Sequence, residues 1–371
     1  MAASSGRRRA PGQRTRPGKE SVNAIAKAKQ AWRALSAEEK NTLLLTLLHR
    51  RHAQWEELAE GVVSVGVGRR LRRSKRHREQ DERAASLPPE KRKGPRLGDI
   101  VRGSLCIRFV VQTKAPKGTP LRRPVPRFII ESVKRRNRRL TVAIPTDVEQ
   151  LCIGGTLHHG PVDLTDGIVT RSPGIGATGC FAAVLKAVPD DGRRFLLTCD
   201  HVLSFSDQPH GPRDDAVVFD RRSAALGVFH ERVGFTGGRG NDAATALLNQ
   251  PIDARMWGIR PRDYAGPLDA LSPLRVFVPR DNGVMRDGPI PAKFIDRMVN
   301  YPFNLGGEVV RATHVIRYRA DTIPGDSGSA LIKPSRILCG MHFYKQDDGI
   351  CLAVPAWLIF SDNFFGQPVQ L

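Results

Sequence analysis

Near one end of the chain stands the run Pro324-Gly325-Asp326-Ser327-Gly328-Ser329-Ala330-Leu331. A serine between glycines on a tight turn is what an exposed nucleophile requires, because glycine tolerates strained backbone angles and lets a substrate chain approach closely. The same turn aims successive backbone N–H groups into one concavity, where a developing oxyanion can be held. The chemistry this predicts is acyl transfer through a covalent serine intermediate. Six cysteines (Cys106, Cys152, Cys180, Cys199, Cys339 and Cys351) fall at scattered positions with no C-x-x-C pair. They read as reduced thiols rather than a disulfide scaffold. Cys339-x-x-His342 has the look of half a zinc site, but no second half with matching spacing follows. Neither a metal nor a cofactor is expected.

The Gly325-Asp326-Ser327-Gly328 motif resembles the nucleophile motif of the trypsin-like (chymotrypsin-fold) serine proteases. Two further segments carry the resemblance. Phe195-Leu-Leu-Thr-Cys-Asp-His201-Val-Leu is similar to the family's strand ending in Thr-x-x-His, and Gly240-Asn241-Asp242-Ala-Ala-Thr-Ala-Leu-Leu248 to its Asp-x-Ala-Leu segment. The order His, Asp, Ser is the family's own, and it differs from that of hydrolases built on other folds. Gaps of 41 and 85 residues separate the three.

The resemblance implies a mainly-β fold of two six-stranded antiparallel barrels, with His201 and Asp242 on the first and Ser327 on the second. It implies that His201 takes the Ser327 proton and returns it to the leaving amine, while Asp242 holds the imidazole tautomer. The backbone N–H groups of Gly325 and Ser327 would bind the oxyanion. For the S1 pocket it gives two signals. Asp321 stands where trypsin-like members keep the acid that binds Arg or Lys, whereas Thr322 and His342 resemble the pocket of relatives that take Glu or Gln. Asp321 beside His342 would partly neutralise itself, so the reading adopted is Glu or Gln. Val202 stands where secreted relatives carry a disulfide cysteine, which fits an intracellular, bacterial-type member. Cys152-Ile-Gly-Gly155 resembles the new N-terminus that pairs with the residue matching Asp326 in secreted relatives, but no basic residue precedes it.

The elements that must position these residues follow from patterning. Residues 1–20 read as a disordered basic tail. Residues 21–60 read as a helical hairpin, with Ser36 and Glu39 as a capping box and Leu43, Leu44, Leu47, Leu48 and Trp55 as the buried stripe of the second helix. Residues 61–148 read as a small basic α/β module, with strands at 61–68, 105–112 and 141–144 and an exposed charged linker at 69–93. From 149 to 371, short apolar runs punctuated by Gly, Pro, Asp and Asn predict the protease domain.

Charge sharpens that division. The net charge of +22 resides in the first 140 residues, where 36 basic residues face 12 acidic ones; the remainder carries 23 against 25. No apolar run is long enough to span a membrane, and no hydrophobic stretch follows the basic start, so a soluble, cytoplasmic protein is expected.

The function expected is thus a serine endopeptidase acting on protein or peptide substrates, regulated or targeted through residues 1–148. Two alternatives stand beside it. The basic N-terminus would contact nucleic acid nonspecifically through phosphates, although its few aromatics supply little base stacking. A catalytically silent protease-fold scaffold would normally lack a triad member, and none is missing here.

Overall fold

The computed structural model describes residues 19–72, 99–114, 121–135, 138–157, 168–172, 175–204, 217–219, 225–249, 261–277, 289–362 and 364–371. Two helices come first, α1 (Lys19–Ala34) and α2 (Ala37–Glu56). The first of them takes in Lys19 and Glu20, the last two residues of the expected tail; the rest of that tail lies outside the described residues. At the start of α2, Ser36 Oγ accepts the Glu39 N–H at 3.1 Å and the Glu39 carboxylate accepts the Ser36 N–H at 2.8 Å. Two donors that a helix start leaves orphaned are thereby satisfied. Leu44, Leu45, Leu47, Leu48 and Trp55 are buried, and Leu43 only partly. The apolar face is wide enough to bring Leu45 inward and leave Leu43 at its edge.

Four strands follow: β1 (Val62–Arg72), β2 (Asp99–Val111), β3 (Phe128–Arg135) and β4 (Arg138–Gln150). β2 pairs antiparallel with β1 and parallel with β4, whose other edge takes β3. Alternate side chains of these strands (Val65, Val67, Ile107, Phe109, Val142 and Ile144) pack under Trp32, Leu44, Leu48 and Trp55 of the helices. The reading of 69–93 as a linker fails at its first four residues, which extend β1. They are held by Arg108 donating to the Arg69 carbonyl at 2.9 Å and by the Leu71 N–H donating to Asp147 at 3.0 Å. Residues 73–93 lie outside the described residues.

After the short β5 (Gly155–Leu157) come β6 (Ile168–Ser172), β7 (Ile175–Gly179), β8 (Ala183–Ala187), β9 (Arg194–Thr198), β10 (Val217–Phe219), β11 (Ala225–Thr236) and β12 (Arg239–Leu248). Then come β13 (Asp263–Tyr264), β14 (Leu274–Phe277), β15 (Ile290–Leu305), β16 (Glu308–Arg319), β17 (Ala330–Ile332), β18 (Ile337–Gln346), β19 (Ile350–Pro355) and finally β20 (Val369–Gln370). The molecule is mainly β. Six strands close a ring, each bonded to the next in the order β14, β15, β16, β19, β18, β17 and back to β14. The tight β15–β16 turn uses Gly306 and Gly307, both at positive φ, as a two-residue hairpin demands. The second set runs β7–β6–β10–β11–β12–β9–β8–β20, and its pairings do not close among the described residues. One closed six-stranded ring is therefore observed where two were expected.

The two sets share one core. Phe303 of the ring meets Phe235 edge-on at 5.4 Å and Phe343 at 5.5 Å, and Leu185, Phe195 and Leu197 join the same cluster. Burying each such side chain contributes about 1.5–3 kcal/mol. The N-terminal strands are joined to the ring as well, because β1 pairs antiparallel with β15, placing Val65 opposite Val299.

Buried charges seal that seam. Arg317 of β16 forms a bidentate pair with Asp296 of β15 (2.7 and 2.6 Å) and reaches Glu149 of β4 at 2.9 Å. Arg108 of β2 bonds Glu149 and lies 2.9 Å from Asp296. Burial alone would raise the Glu149 carboxyl, but Arg317 and Arg108 outweigh it and hold it at about 2. No helix among the described residues is long and apolar enough to cross a membrane.

Candidate active site

Strand pairing brings two of the expected residues together. β9 and β12 run antiparallel with Thr198 opposite Ala244, so the chain leaving β9 arrives beside the start of β12. His201 stands just past that point, on the short helix Asp200–Ser204, and Asp242 two residues before Ala244 on β12. Asp242 grips His201 at two points: Oδ1 accepts its backbone N–H at 3.1 Å, and Oδ2 lies 2.6 Å from Nδ1. An ionised carboxylate can only accept, so this pairing puts the ring proton on Nδ1 and leaves Nε2 as the basic nitrogen. Both residues are buried.

Ser327 lies in the turn between β16 and β17. Gly325 and Gly328 adopt φ of 95° and 90°, the left-handed region that a side chain resists. A Cβ on Gly328 would also strike the Cys180 carbonyl and Thr198. The turn is bonded into both strand sets: the Cys180 N–H donates to the Ser327 carbonyl at 2.6 Å, and the Gly328 N–H to the His342 carbonyl at 2.8 Å. The Cys199 thiol, two residues before His201, donates to that same His342 carbonyl at 3.2 Å. Gly179 is another close approach between the halves, for a Cβ there would meet Val202 and, at 3.0 Å, the Ser327 carbonyl oxygen. The Ser327 hydroxyl, fully buried, donates to the Phe343 carbonyl at 3.2 Å. Neither the Gly325 nor the Ser327 N–H donates to a backbone carbonyl among the described residues.

The three S1 candidates part company. Asp321 is exposed, while Thr322 and His342 are buried. Thr322 Oγ1 lies 3.3 Å from the Cys351 sulfur. His342 Nδ1 lies 2.7 Å from the Tyr318 hydroxyl. Burial, with Cys351, Asp326 and Cys199 adding to it, pushes the Tyr318 phenol well above its ordinary range, so it keeps its proton. When the phenol donates to Nδ1, the His342 ring proton is left on Nε2. Sequence reasoning missed Tyr318, although an aromatic hydroxyl inside a ring must find a polar partner and a histidine one register away is an available one.

Cys199, His201 and Asp242 place their ligand atoms within 4.8 Å of one another. Their hydrogen bonds do not suit a metal. Burial raises the Cys199 thiol well above its usual range, so it remains a protonated donor, and the Asp242 carboxylate is already spent on His201. The six cysteines are all free. The Cys152–Gly155 segment is bound in mid-chain to the ring, with the Cys152 carbonyl accepting from Gln346 and the Ile153 carbonyl from the Asn304 N–H at 3.0 Å. Asp326, in turn, accepts the Ile323 N–H at 2.8 Å.

No protein-family model and no curated protein matches the chain. Among solved structures it is similar to Protease A of Thermobifida fusca, at 15% identity and TM-score 0.35 over 51% of this chain and 90% of that one. It is likewise similar to chymotrypsin of Cellulomonas bogoriensis, at 16% identity and TM-score 0.32 over 50% and 85%. The serine protease of a human pathogenic astrovirus follows at 13% identity and TM-score 0.30 over 57% and 98%.

Proposed function

We propose that the chain is a serine endopeptidase in which His201, Asp242 and Ser327 form the catalytic triad. The observation that carries this reading is the two-point grip of Asp242 on His201 beside a glycine-flanked serine turn. In the reaction, Ser327 rotates its hydroxyl from the Phe343 carbonyl toward His201, which removes the proton as Oγ attacks the scissile carbonyl. The oxyanion that forms is received by the N–H groups of Gly325 and Ser327, and losing one such donor typically costs about 3–4 kcal/mol of barrier stabilisation. His201 then protonates the leaving amine, and water reverses the sequence to release the acid. Asp242 keeps the imidazole in register and stabilises its charged form.

Substrates with Glu or Gln at the cleaved position suit the site best. A neutral His342 offers an Nε2–H to a side-chain carbonyl or carboxylate, and Thr322 lies buried nearby in sequence, whereas Asp321 faces solvent. In this reading residues 149–371 are the protease domain, with His201 and Asp242 on one six-stranded barrel and Ser327 on the other. The hairpin 21–60 and the module 61–148 set its activity or its choice of protein partner.

A fluorophosphonate probe tests the proposal, with any adduct located by mass spectrometry on wild type and on Ser327→Ala. Labelling of Ser327 in the wild type alone is the expected result. If folded wild type stays unlabelled under prolonged exposure, the chain is a scaffold and the proposal fails.

A further inference from the structure

Away from Ser327, α2 and the six-strand ring enclose a cavity of about 280 Å³, just under the ~300–1,000 Å³ of typical drug-sized ligand sites. Its walls are apolar: Leu45 and Leu48 from α2, Met298 from β15 and Val315 from β16. Its polar lining is of one sign. Arg50 and His49 of α2, Arg297 of β15 and His314 of β16 border it, and among the described residues no carboxylate does.

Three details fit an anionic ligand. Arg297 is buried and donates to the carbonyls of Pro267 and Asp269, so among the described residues its charge is met by dipoles and not by a contacting acid. Burial brings its guanidinium down to about 10, with Cys339 and Asp269 pulling the other way. Trp357, another lining residue, keeps its indole N–H buried without an acceptor among the described residues. His314 packs edge-on against Trp357 at 4.9 Å. Burial, and then the neighbouring His52, His49 and Arg297, push His314 down to about 4.

We propose that this cavity binds a small amphipathic monocarboxylate, its apolar body against Leu45, Leu48, Met298 and Val315 and its carboxylate toward Arg297, His314 and the Trp357 indole. Such a ligand supplies an acceptor to the Trp357 indole and a contacting counter-charge to Arg297. It also bridges the N-terminal hairpin to the ring. The inference stands apart from the protease reading, because its test reads binding alone.

The test is isothermal titration of the full chain with sodium octanoate, using octanamide as the uncharged isostere. Saturable octanoate binding is expected, with octanamide about tenfold weaker, since a charge-assisted hydrogen bond is worth roughly that factor. A carboxylate beside His314 favours its protonated form, and the free ring sits at about 4, so affinity should rise as pH falls from 6 toward 5 in wild type. His314→Gln should flatten that rise, and Trp357→Phe should weaken octanoate about fivefold while leaving octanamide less affected. Equal binding of the two probes would overturn the proposal, as would the lack of any saturable heat. Both of these outcomes are read on wild type, so they hold even if a variant fails to fold.

Discussion

The molecule buries charge in two places, and it treats them differently. At the seam between the N-terminal strands and the ring, Arg108, Glu149, Asp296 and Arg317 are each paired with at least two opposite charges. Every one of them is held by charge. At the candidate site a single acid, Asp242, spends both oxygens on a single histidine, and Ser327 rests on a backbone carbonyl. The seam shares each charge among at least two partners of opposite sign. The site is arranged so that one proton can move. Burial of ionisable groups thus does not mark function by itself; what distinguishes the two places is whether each charge is held by several opposite charges or serves a single histidine.

Substitutions at both places test this contrast. The largest effect is expected at the nucleophile: Ser327→Ala should lower peptide hydrolysis by about 10⁴–10⁶-fold with an unchanged melting temperature. Asp242→Asn should cost about 10⁴ in kcat while leaving the fold intact, since the imidazole would settle in the wrong tautomer. A loss below tenfold would remove Asp242 from the triad. At the seam the readout moves from rate to stability. Arg317→Met leaves the buried Asp296 with Arg108 as its one remaining cation among the described residues and should destabilise by about 3–5 kcal/mol in chemical denaturation, and adding Asp296→Leu should restore part of that loss.

A pH series follows from Glu149. Its folded value is depressed to about 2 from an ordinary 4.5, so its contribution is complete above about 4.5 and disappears as pH falls toward 2. Denaturation midpoints should therefore drop over that window in wild type and drop less in Glu149→Gln. The smallest effect is at Tyr318→Phe, which frees His342 to change tautomer. It should lower kcat/KM for Gln and Glu substrates by about tenfold relative to others, the worth of one buried hydrogen bond.

Local features of the sequence translated into structure readily. The Ser36–Glu39 capping box, the helix stripe and the glycine-flanked Ser327 depend on neighbours a few residues away, and each appears where its pattern stood, save that the stripe takes in Leu45 and leaves Leu43 at its edge. His201 and Asp242 were legible for another reason, since the strands that carry them are strongly apolar and their pairing follows. The seam was invisible. Nothing in the sequence singles out Arg108 or Arg317, because nothing local says that β1 will pair with β15 and cover them. The expectation of two closed barrels exceeded what the strand pairings show for the same reason: closure depends on register between distant segments. Among the S1 candidates, spacing alone ranked Asp321 with Thr322, and only burial separates them.

The bond from Ser64 to the Val299 carbonyl spans 235 residues of chain. During synthesis at about 5–20 residues per second, β1 would emerge some tens of seconds before β15 exists to cover it. For that interval the nascent N-terminal sheet carries a bare edge, the kind that recruits stray strands. Its far end bears Arg69 and Arg70, which repel a second copy of the same edge. The basic character of this region thus acts as a guard on the growing chain, in force until the last strands arrive.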